Sequence, residues 1–490
     1  MAAIFEENIL IIKNPVSNAE ISRIDITNSK EFEILSDEVV QYKDWSLLSV
    51  KKRCSYISLL RKAIVKHQSE LESIIKSETG KNDFDIFIEV FTMLEHLKQM
   101  PKIARSALKS SHRNTGIMKS KKAYVLYEPL GVAGIIAPWN YPLATPIGSS
   151  MQALISGNNV ILKPSEHTPL TSMYIKDLWD KYVGFNKAFN IINGGGDVGR
   201  MIVESSSIDV LCFTGSTKVG KMIAKQCAES LKPIILELGG KDPLIILKDA
   251  DINRTVEAVL FGGLGNAGQT CISVEEVFIE SEVFDQYVTC LSDKIRKLSS
   301  GDDSSSQIGS MIVGENFNKV MAHINDIDDK SKIISGEASS KGMFIAPTLI
   351  VDPVDTSRVV NEETFGPIIS LRPFIDELDL ITKVHKTGYG LAGSIFGRDK
   401  KRIKKIISQL KIGNVSVNDV MTHYGIASLP FGGEGQSGLG RLHGREGLRS
   451  LSRTKSIVEN RFSFIKDPWW FSRPKFVENI LKKAVKLLYR

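Results

Sequence analysis

One cysteine of the chain stands in a setting that favours chemistry over packing. Cys271 lies in the stretch GNAGQTCIS, residues 265–273, among glycines and small polar residues. A cysteine that serves only packing usually behaves as a small hydrophobe in an apolar run. The two glycines just before Cys271 permit close backbone approach and unusual dihedral angles. Cys271 is therefore either a core residue in a loose loop or a nucleophile presented to a substrate.

Two further polar residues stand where acid–base or oxyanion chemistry could use them. Glu237 lies inside the apolar run PIILELGG, where a carboxylate is expensive unless it is paired or functional. Burial would raise its pKa and suit it to general-base work, and a salt-bridged structural acid is an equal alternative. Asn140 lies in a turn between Pro138 and Pro142. Its amide could donate to an oxyanion or form an ordinary Asx turn.

Three turns that follow predicted strands are candidates for holding a dinucleotide. Gly194–Gly199 has the spacing G-x-G-x-x-G, but the acid expected about 20 residues later is missing, which favours an ordinary strand-to-helix turn. The motif FTGSTKVG would place Gly215 and Ser216 at a helix N-terminus, which attracts anions, or would form a plain helix cap. Lys163 and Glu166 follow another strand, where an acid suits a ribose hydroxyl, although a solvated turn is the commoner outcome.

The elements that must position these residues alternate between strands and helices. Predicted strands lie at 134–137, 159–163, 188–192 and 209–213, and predicted helices lie at 146–156, 170–182, 198–205 and 218–230. Such alternation implies βαβ units and parallel sheets covered on both faces. The pattern repeats from residue 233 to about residue 417, after a helical region at 50–115. Two α/β domains packed together are the simplest interpretation.

Composition and charge exclude several classes of protein. The 490 residues are 42% hydrophobic and 24% charged, which is ordinary for a folded globular chain. Five cysteines without a CxxC pair argue against a disulfide framework and a metal site. Neither a secretory signal nor a spanning apolar segment is recognisable, so a cytoplasmic protein is expected. Of the net charge of +7, residues 461–490 contribute +6, so we expect no nucleic-acid-binding face on the body.

The ordered motifs together resemble those of the aldehyde dehydrogenase superfamily. From Ala137 to Gly440 they are APWNYP, ILKPSE, FTGSTKVG, LELGGKDP, GQTC, EETFGP and PFGGEGQSGLG. The resemblance implies an α/β fold of two doubly wound domains with a small β oligomerisation element. It implies an NAD(P)-binding domain at 1–118 and 138–238, a catalytic domain at 239–440 and an oligomerisation element at 119–137 and 441–467. The resemblance does not extend over the last part of the chain, where residues 468–490 are predicted from their own pattern to form a basic amphipathic tail.

The resemblance also implies the chemistry, which is oxidation of an aldehyde to a carboxylic acid. Cys271 would attack the aldehyde carbon, and the Asn140 side chain and the Cys271 backbone amide would hold the oxyanion. Transfer of hydride to the nicotinamide would leave a thioester, which water activated by Glu237 would hydrolyse. The alternatives are a CoA-acylating dehydrogenase, which the presence of Glu237 disfavours, and a non-catalytic structural protein on the same scaffold.

The cofactor implied by the resemblance is NAD, with NADP as the alternative. Glu166 would accept the ribose 2′-hydroxyl of NAD and repel the 2′-phosphate of NADP, and Lys163 could partly compensate. Ser216 matches a pyrophosphate contact, Glu363 matches the acid that holds the nicotinamide ribose, and Phe365 would pack near the ring. The expected cofactor-binding residues are Trp139, Lys163, Glu166, Gly215, Ser216, Gly220, Leu238, Glu363 and Phe365.

The C-terminal part of the chain departs from the family pattern and also carries the predictions about binding partners. Many members carry an acid directly after the arginine at position 441, but here it is Leu442, so a second proton-relaying glutamate is absent. Predicted edge strands at 124–129 and 452–459 imply a homodimer or tetramer. Residues 476–490 form a predicted basic amphipathic helix, which would lie on an anionic membrane surface or pack against protein. The chain length and charge of the aldehyde stay open.

Overall fold

The computed structural model describes residues 3–328, 331–462 and 467–489. The strands, in chain order, are β1 (Ala3–Glu6), β2 (Ile9–Lys13), β3 (Glu20–Asp25), β4 (Ser111–Arg113), β5 (Lys121–Pro129), β6 (Val132–Ile136), β7 (Asn159–Lys163), β8 (Phe189–Ile191), β9 (Val210–Thr214), β10 (Ile234–Glu237), β11 (Asp242–Ile246), β12 (Val274–Glu280), β13 (Ser299–Ser300), β14 (Lys332–Ser335), β15 (Glu337–Ala338), β16 (Thr348–Val351), β17 (Ile368–Phe374), β18 (Ala392–Phe396), β19 (Asn414–Val417), β20 (Gly438–Leu439) and β21 (Ser452–Asn460).

The helices connect these strands and cover the sheets. In chain order they are α1 (Ser29–Gln41), α2 (Val50–Lys66), α3 (Gln68–Thr79), α4 (Asp83–Ala107), α5 (Ala144–Ser156), α6 (Leu170–Tyr182), α7 (Gly196–Glu204), α8 (Thr217–Glu229), α9 (Ile252–Leu264), α10 (Phe284–Ile295), α11 (Gly314–Asn325), α12 (Arg358–Asn361), α13 (Glu377–Val384), α14 (Lys400–Ile407), α15 (Thr422–Gly425), α16 (Gly444–Ser450) and α17 (Lys475–Leu488).

Two largely parallel sheets carry the elements of the site. The first has the strand order β20-β10-β9-β6-β7-β8, and β20 joins β10 in antiparallel register. The second has the order β14-β16-β17-β12-β11-β18-β19, with β14 antiparallel to β16. Parallel neighbours need crossover connections, and helices supply them. Because helices cover the faces, the central strands β7, β11 and β12 are buried along their whole length.

Local sequence signals account for most element boundaries. The predicted strand at 159–163 and the predicted helix at 170–182 coincide with β7 and α6. The predicted helical region at 50–115 is wrong beyond Ala107, because Ser111–Arg113 forms strand β4 against Ala123–Val125 of β5. That pairing joins residues ten to fourteen positions apart, and helical periodicity within one segment does not detect it. Val132–Ile136, in the range predicted for the oligomerisation element, pairs within the first large sheet.

The chain separates by internal packing into two units. The larger unit comprises Met1–Leu108 and Pro129–Arg453 and contains both large sheets. The smaller unit comprises Lys109–Glu128 and Thr454–Arg490; it includes most of a three-stranded sheet of order β21-β5-β4, and it contains helix α17. Within the residues that the structure describes, no helix is long and apolar enough to cross a membrane.

Candidate active site

A cavity of about 490 Å³ in the larger unit contains Cys271 and lies at the carboxyl ends of strands from the first sheet. Thr214 ends β9 and Glu237 ends β10, and both line this cavity. Residues of α4, of the Pro138–Thr145 region and of the segment 420–425 also line the cavity. The sequence-predicted residues that line it are Trp139, Asn140, Gly215, Ser216, Glu237, Leu238, Cys271, Glu363 and Phe365.

The loop that precedes Cys271 has an unusual backbone. Asn266, Ala267 and Gly268 all adopt left-handed conformations, with φ of 54°, 53° and 68°. Glycine is required at the last position, because a Cβ there would lie 2.1 Å from the carbonyl oxygen of Gly366. Non-glycine residues in this region each cost about 1–3 kcal/mol, so surrounding contacts must hold the loop in place.

Buried side-chain amides supply those contacts. Gln269 is fully buried; its Nε2 donates to the carbonyl oxygen of Ser310 at 3.1 Å, and its Oε1 accepts from the Ile312 backbone at 2.9 Å. Asn266 Nδ2 donates to the carbonyl oxygen of Asn140 at 3.1 Å. The loop that presents Cys271 is thereby tied to the turn that carries Asn140.

Asn140 lines the same cavity as Cys271 and carries a side-chain amide that can donate hydrogen bonds. Its Nδ2 donates to the carbonyl oxygen of Gln269 at 2.8 Å, and the residue is 5% exposed. A side-chain amide nitrogen carries two N–H groups. Since one hydrogen bond of this nitrogen is found within the described ranges, the other N–H is available to a ligand in the cavity.

The environment of Glu237 favours its protonated form. Burial raises the pKa of this carboxyl group well above its usual value, and the positive charge of Arg441 opposes the rise. The Leu442 backbone amide also favours the charged form, but neither carboxyl oxygen has a hydrogen-bond partner of good geometry in the part of the chain that is described. A buried, unpaired carboxylate is a strong base, so Glu237 is suited to accept a proton.

The Cys271 thiol is likewise held in its neutral form. Burial raises its pKa above the ordinary value, and the nearby carboxyl groups of Asp242, Glu237 and Glu363 add to the rise. The nucleophilic form of a cysteine is the thiolate. Formation of a thiolate at neutral pH therefore requires a base beside Cys271 or a positive charge brought by a ligand.

Glu363 and Phe365 form one wall of the cavity with Trp139. Glu363 accepts a hydrogen bond from the Gly240 backbone at 3.0 Å, and burial together with Glu275 raises its pKa to about 7. Phe365 has a left-handed backbone with φ of 58°. Its ring meets the Trp139 ring edge to face at a centroid distance of 5.6 Å.

The start of α8 presents an anion-attracting terminus to the cavity. Ser216 is its N-cap, and its side chain accepts from the Val219 backbone at 3.4 Å. Gly220 permits close packing of this helix, since a Cβ there would lie 2.4 Å from Leu238. Backbone N–H groups and the helix dipole at such a terminus favour phosphate groups.

Lys163 and Glu166 lie outside the cavity lining and form a pair of their own at the end of β7. Lys163 Nζ is 3.3 Å from Glu166 Oε2 and donates to the carbonyl oxygen of Pro164 at 3.0 Å. Burial favours the neutral form of Glu166, but the Lys163 ammonium, a backbone hydrogen bond and His167 together outweigh it and lower the pKa of Glu166 below its usual value. The pair offers a cationic donor and an anionic acceptor side by side.

The G-x-G-x-x-G segment takes no part in the cavity. Gly194 has φ of +148° and packs so closely on Val198 that a Cβ there would lie 2.4 Å from that side chain. Gly196 begins α7. The segment is the tight strand-to-helix turn that the missing acid indicated.

Comparisons with known proteins agree with this arrangement. The sequence model of the "Aldehyde dehydrogenase family" matches residues 6–457. A 4,4'-diapolycopene aldehyde oxidase of Methylomonas sp is 32% identical over 462 residues, covering 93% of this chain and 85% of that protein. An NADP dependent enzyme of E. coli has 29% identity and a TM-score of 0.87 over 92% of this chain and 95% of its own. Betaine aldehyde dehydrogenase of Staphylococcus aureus, solved with NAD+, has 28% identity and a TM-score of 0.88 over 95% of this chain and 96% of its own.

The chain belongs to the aldehyde dehydrogenase family. The predicted α/β fold class is confirmed, and so is the prediction of an NAD(P)-dependent oxidoreductase that converts aldehydes to carboxylic acids. The family resemblance was carried by motifs, and these motifs supply fourteen of the residues lining the cavity.

In this aldehyde dehydrogenase, a buried ion pair that sequence reasoning missed lies behind the Glu363 loop. Glu275 on β12 accepts from the backbone N–H groups of Thr364 and Phe365, each at 2.8 Å, and from Lys241 Nζ at 2.7 Å. Lys241 and these amides outweigh burial and hold the pKa of Glu275 below its usual value. The pair thus fixes the backbone that carries Glu363. Its sequence signal was a pair of adjacent glutamates inside the apolar strand VEEVFIE.

A second missed pair supports the Asn140 turn. Glu89 on α4 accepts from the Leu143 and Ala144 backbones at 2.8 and 3.1 Å, and Lys81 Nζ donates to its other oxygen at 2.6 Å. Both side chains are almost fully buried. The turn is thereby anchored at the beginning of α5.

Replacement of Glu275 tests whether this ion pair positions the Glu363 loop. Glu275→Gln leaves Lys241 buried without its partner, so we expect the free energy of unfolding to fall by about 3–5 kcal/mol. We also expect weaker dinucleotide binding, measured by quenching of protein fluorescence. The double variant Lys241→Met/Glu275→Leu removes both charges and should recover much of the stability but not the binding. Unchanged binding in both variants would assign the pair to stability alone.

Proposed function

We propose that this aldehyde dehydrogenase works through a thioester on Cys271, with Asn140 as oxyanion donor and Glu237 as general base. The observation that carries the proposal is that these three side chains converge on one cavity. The motif order of the sequence supports the same roles. The proposal concerns the assignment of residues, since the overall reaction follows from the family.

The residues present suit a nicotinamide dinucleotide. The N-terminus of α8 and Ser216 suit the pyrophosphate, the Lys163–Glu166 pair suits the ribose hydroxyls on the adenosine side, and the buried Glu363 suits those of the nicotinamide ribose. When bound, the nicotinamide supplies an acceptor for the hydride that leaves the substrate carbon.

Cys271 begins the reaction. Its sulfur bonds to the aldehyde carbon as its proton passes to solvent, and the carbonyl electron pair moves onto the oxygen. The free N–H of Asn140 Nδ2 and the Cys271 backbone N–H donate to that oxyanion. When the oxygen returns its electron pair to carbon, the carbon–hydrogen bond breaks with loss of hydride, and a thioester remains on Cys271.

Glu237 completes the cycle. Its carboxylate takes a proton from water as the water oxygen bonds to the thioester carbon, and the carbon–sulfur bond breaks to release the carboxylic acid and the Cys271 thiolate, which takes up the proton. The raised pKa of Glu237 makes it a base strong enough for this step. A CoA-acylating enzyme would release the acyl group to a thiol and would have no need of this base.

Two variants test the assignment of roles. Cys271→Ala should abolish aldehyde oxidation while dinucleotide binding persists. Glu237→Gln should release about one equivalent of reduced cofactor per site and then turn over slowly, because acylation proceeds while deacylation stalls. Stopped-flow absorbance of the reduced cofactor measures both, and added CoA should not restore turnover. Normal steady-state turnover of Glu237→Gln would contradict the general-base role.

We propose that NAD is preferred over NADP. The lowered pKa of Glu166 keeps a negative charge at the site suited to the adenosine ribose, and a 2′-phosphate placed there would be repelled. The structural neighbours include both an NADP dependent enzyme and an NAD+ complex, so the family does not decide the preference.

The variant Glu166→Gln tests this preference. It removes the negative charge and keeps the size of the side chain, so kcat/KM with NADP should rise and the ratio of NAD to NADP efficiency should fall by about tenfold or more, which corresponds to loss of about 1.4 kcal/mol of repulsion. Steady-state rates with each cofactor at one fixed aldehyde concentration give the ratio. Equal efficiency of both cofactors in the unaltered enzyme would refute the preference.

We also propose that the smaller unit serves assembly and membrane attachment. Strand β21 lies at an edge of its sheet, and exposed edges seek partners, which supports at least a homodimer. Helix α17 has no buried residue, and Phe476, Ile480, Val485 and Leu488 are each more than half exposed. Lys482, Lys483 and Lys486 lie on the same helix. Such a basic amphipathic helix suits the headgroup region of an anionic membrane.

Co-sedimentation with vesicles tests the attachment. The full chain should sediment with vesicles containing phosphatidylserine at low salt, and truncation after Asp467 should abolish this and leave the dimer intact by light scattering. The variant Lys482→Gln/Lys483→Gln/Lys486→Gln is the matched control for charge, since each lysine near an anionic surface contributes about 1 kcal/mol. Failure of the full chain to sediment would favour the alternative, in which the helix packs against protein.

A further inference from the structure

Helix α4 carries a ladder of phenylalanines that neither the fold nor the proposed mechanism uses. Phe84, Phe87 and Phe91, the phenylalanine ladder, are 60%, 46% and 57% exposed. Their rings stack in sequence, with centroid distances of 6.3 and 6.0 Å and interplanar angles of 27° and 24°. Contiguous exposed apolar groups of this kind mark binding surfaces more often than chance.

The phenylalanine ladder is continuous with the wall of the catalytic cavity. Phe91 lines the cavity that contains Cys271, together with Ile88 and Thr92 of the same helix. From Phe84 to Phe91 the helix rises by about 10 Å. Phe261, which is 45% exposed, also lines this cavity from α9. An apolar track therefore runs along α4 from the protein surface to the cavity that contains Cys271.

The charges that line the cavity disfavour an anionic substrate. Apart from the base Glu237, its charged lining residues within the described ranges are Asp85, Glu89, Lys319 and Glu363. Lys319 acts on Glu363, on the wall suited to the nicotinamide ribose. On the α4 wall stand Asp85, whose pKa burial raises to about 6, and Glu89, which is paired with Lys81. A carboxylate carried by the aldehyde would lie against the carboxyl groups of the α4 wall, where no unpaired cation is found among the described lining residues.

We propose that the phenylalanine ladder binds the hydrocarbon tail of a long, uncharged aldehyde while its carbonyl group reaches Cys271. This inference rests on the proposed function and names the substrate class of the same site. Phe84 and Phe87 determine specificity for the tail and do not touch the reacting atoms. The contact would remove both the tail and the exposed rings from water, which is the source of the selectivity.

Chain length is the variable that tests the ladder. With the unaltered enzyme and NAD, kcat/KM should rise from acetaldehyde through hexanal to dodecanal, by up to about fourfold for each methylene that becomes fully buried. Succinate semialdehyde should be used less efficiently than hexanal, because its carboxylate meets Asp85 and Glu89. A preference for succinate semialdehyde or for betaine aldehyde over hexanal would overturn the inference.

The double variant Phe84→Ser/Phe87→Ser locates the effect. It should lower kcat/KM for dodecanal by about tenfold or more, since two rings lose their contact with the tail, and should change kcat/KM for acetaldehyde by less than about twofold. Leu378→Ser is the matched control, because Leu378 is a 77% exposed apolar residue on helix α13 away from the cavity lining. Dodecanal kinetics in this control should equal those of the unaltered enzyme.

The outcomes separate this inference from the proposed function. Equal losses for dodecanal and acetaldehyde, or no loss for dodecanal, would overturn the ladder as a tail-binding surface. Loss of the dimer or of vesicle binding in the double variant, with unchanged dodecanal selectivity, would assign the surface to a second copy or to lipid and would also overturn it. Failure of the unaltered enzyme to oxidise any aldehyde with NAD would instead contradict the proposed function.

Discussion

The free-energy cost of keeping two ionisable groups out of water governs the structure around the site. Glu237 is buried and Cys271 is partly buried, and the loss of water around each shifts its pKa toward the neutral form. A neutral acid beside a neutral thiol is stable at rest, whereas one charge between them must be stabilised by the surroundings. In the ligand-free cavity both groups are therefore unreactive. They become reactive when the substrate supplies a carbon for the sulfur to attack and a bound dinucleotide supplies a positive charge.

These groups stay in place only if the backbone around them is rigid. Two buried ion pairs make it rigid, because their carboxylates bind the backbone of neighbouring loops. Lys241–Glu275 and Lys81–Glu89 each place a carboxylate where it accepts two backbone N–H groups, one beside Glu363 and the other beside the Asn140 turn. A buried ion pair contributes little net stability, because desolvation offsets the attraction. Its value here is geometric, since each carboxylate fixes a loop that no regular element would hold.

Much of the site could be predicted from the sequence, because the decisive residues sit at the ends of strands and in turns. Glu237 follows an apolar run and Ser216 follows a strand and begins a helix, so their placement depends on local signals alone. The absence of an acid after the strand also identified Gly194–Gly199 as a turn. Motif order then brought Cys271 and Asn140 together, which no single segment could indicate.

The features that escaped prediction depend on contacts between distant segments. The left-handed backbone at Asn266 and Ala267 is sustained by bonds to the Asn140 turn and to residues near position 310. Strand β4 was taken for helix because its partner lies further along the chain. The exposure of Phe84 and Phe87 was equally hidden, since helical periodicity in a sequence does not say which apolar positions a neighbour will cover.

The central claim is that burial keeps the Cys271 thiol neutral until ligands bind, and alkylation as a function of pH tests it most directly. The ligand-free enzyme is treated with iodoacetamide across a pH series, and peptide mass spectrometry follows Cys271 separately from the other four cysteines. We predict that the alkylation rate at Cys271 continues to rise beyond the ordinary thiol pKa of about 8.5 without reaching a plateau. A plateau at neutral pH would show a thiolate at rest and would contradict the account.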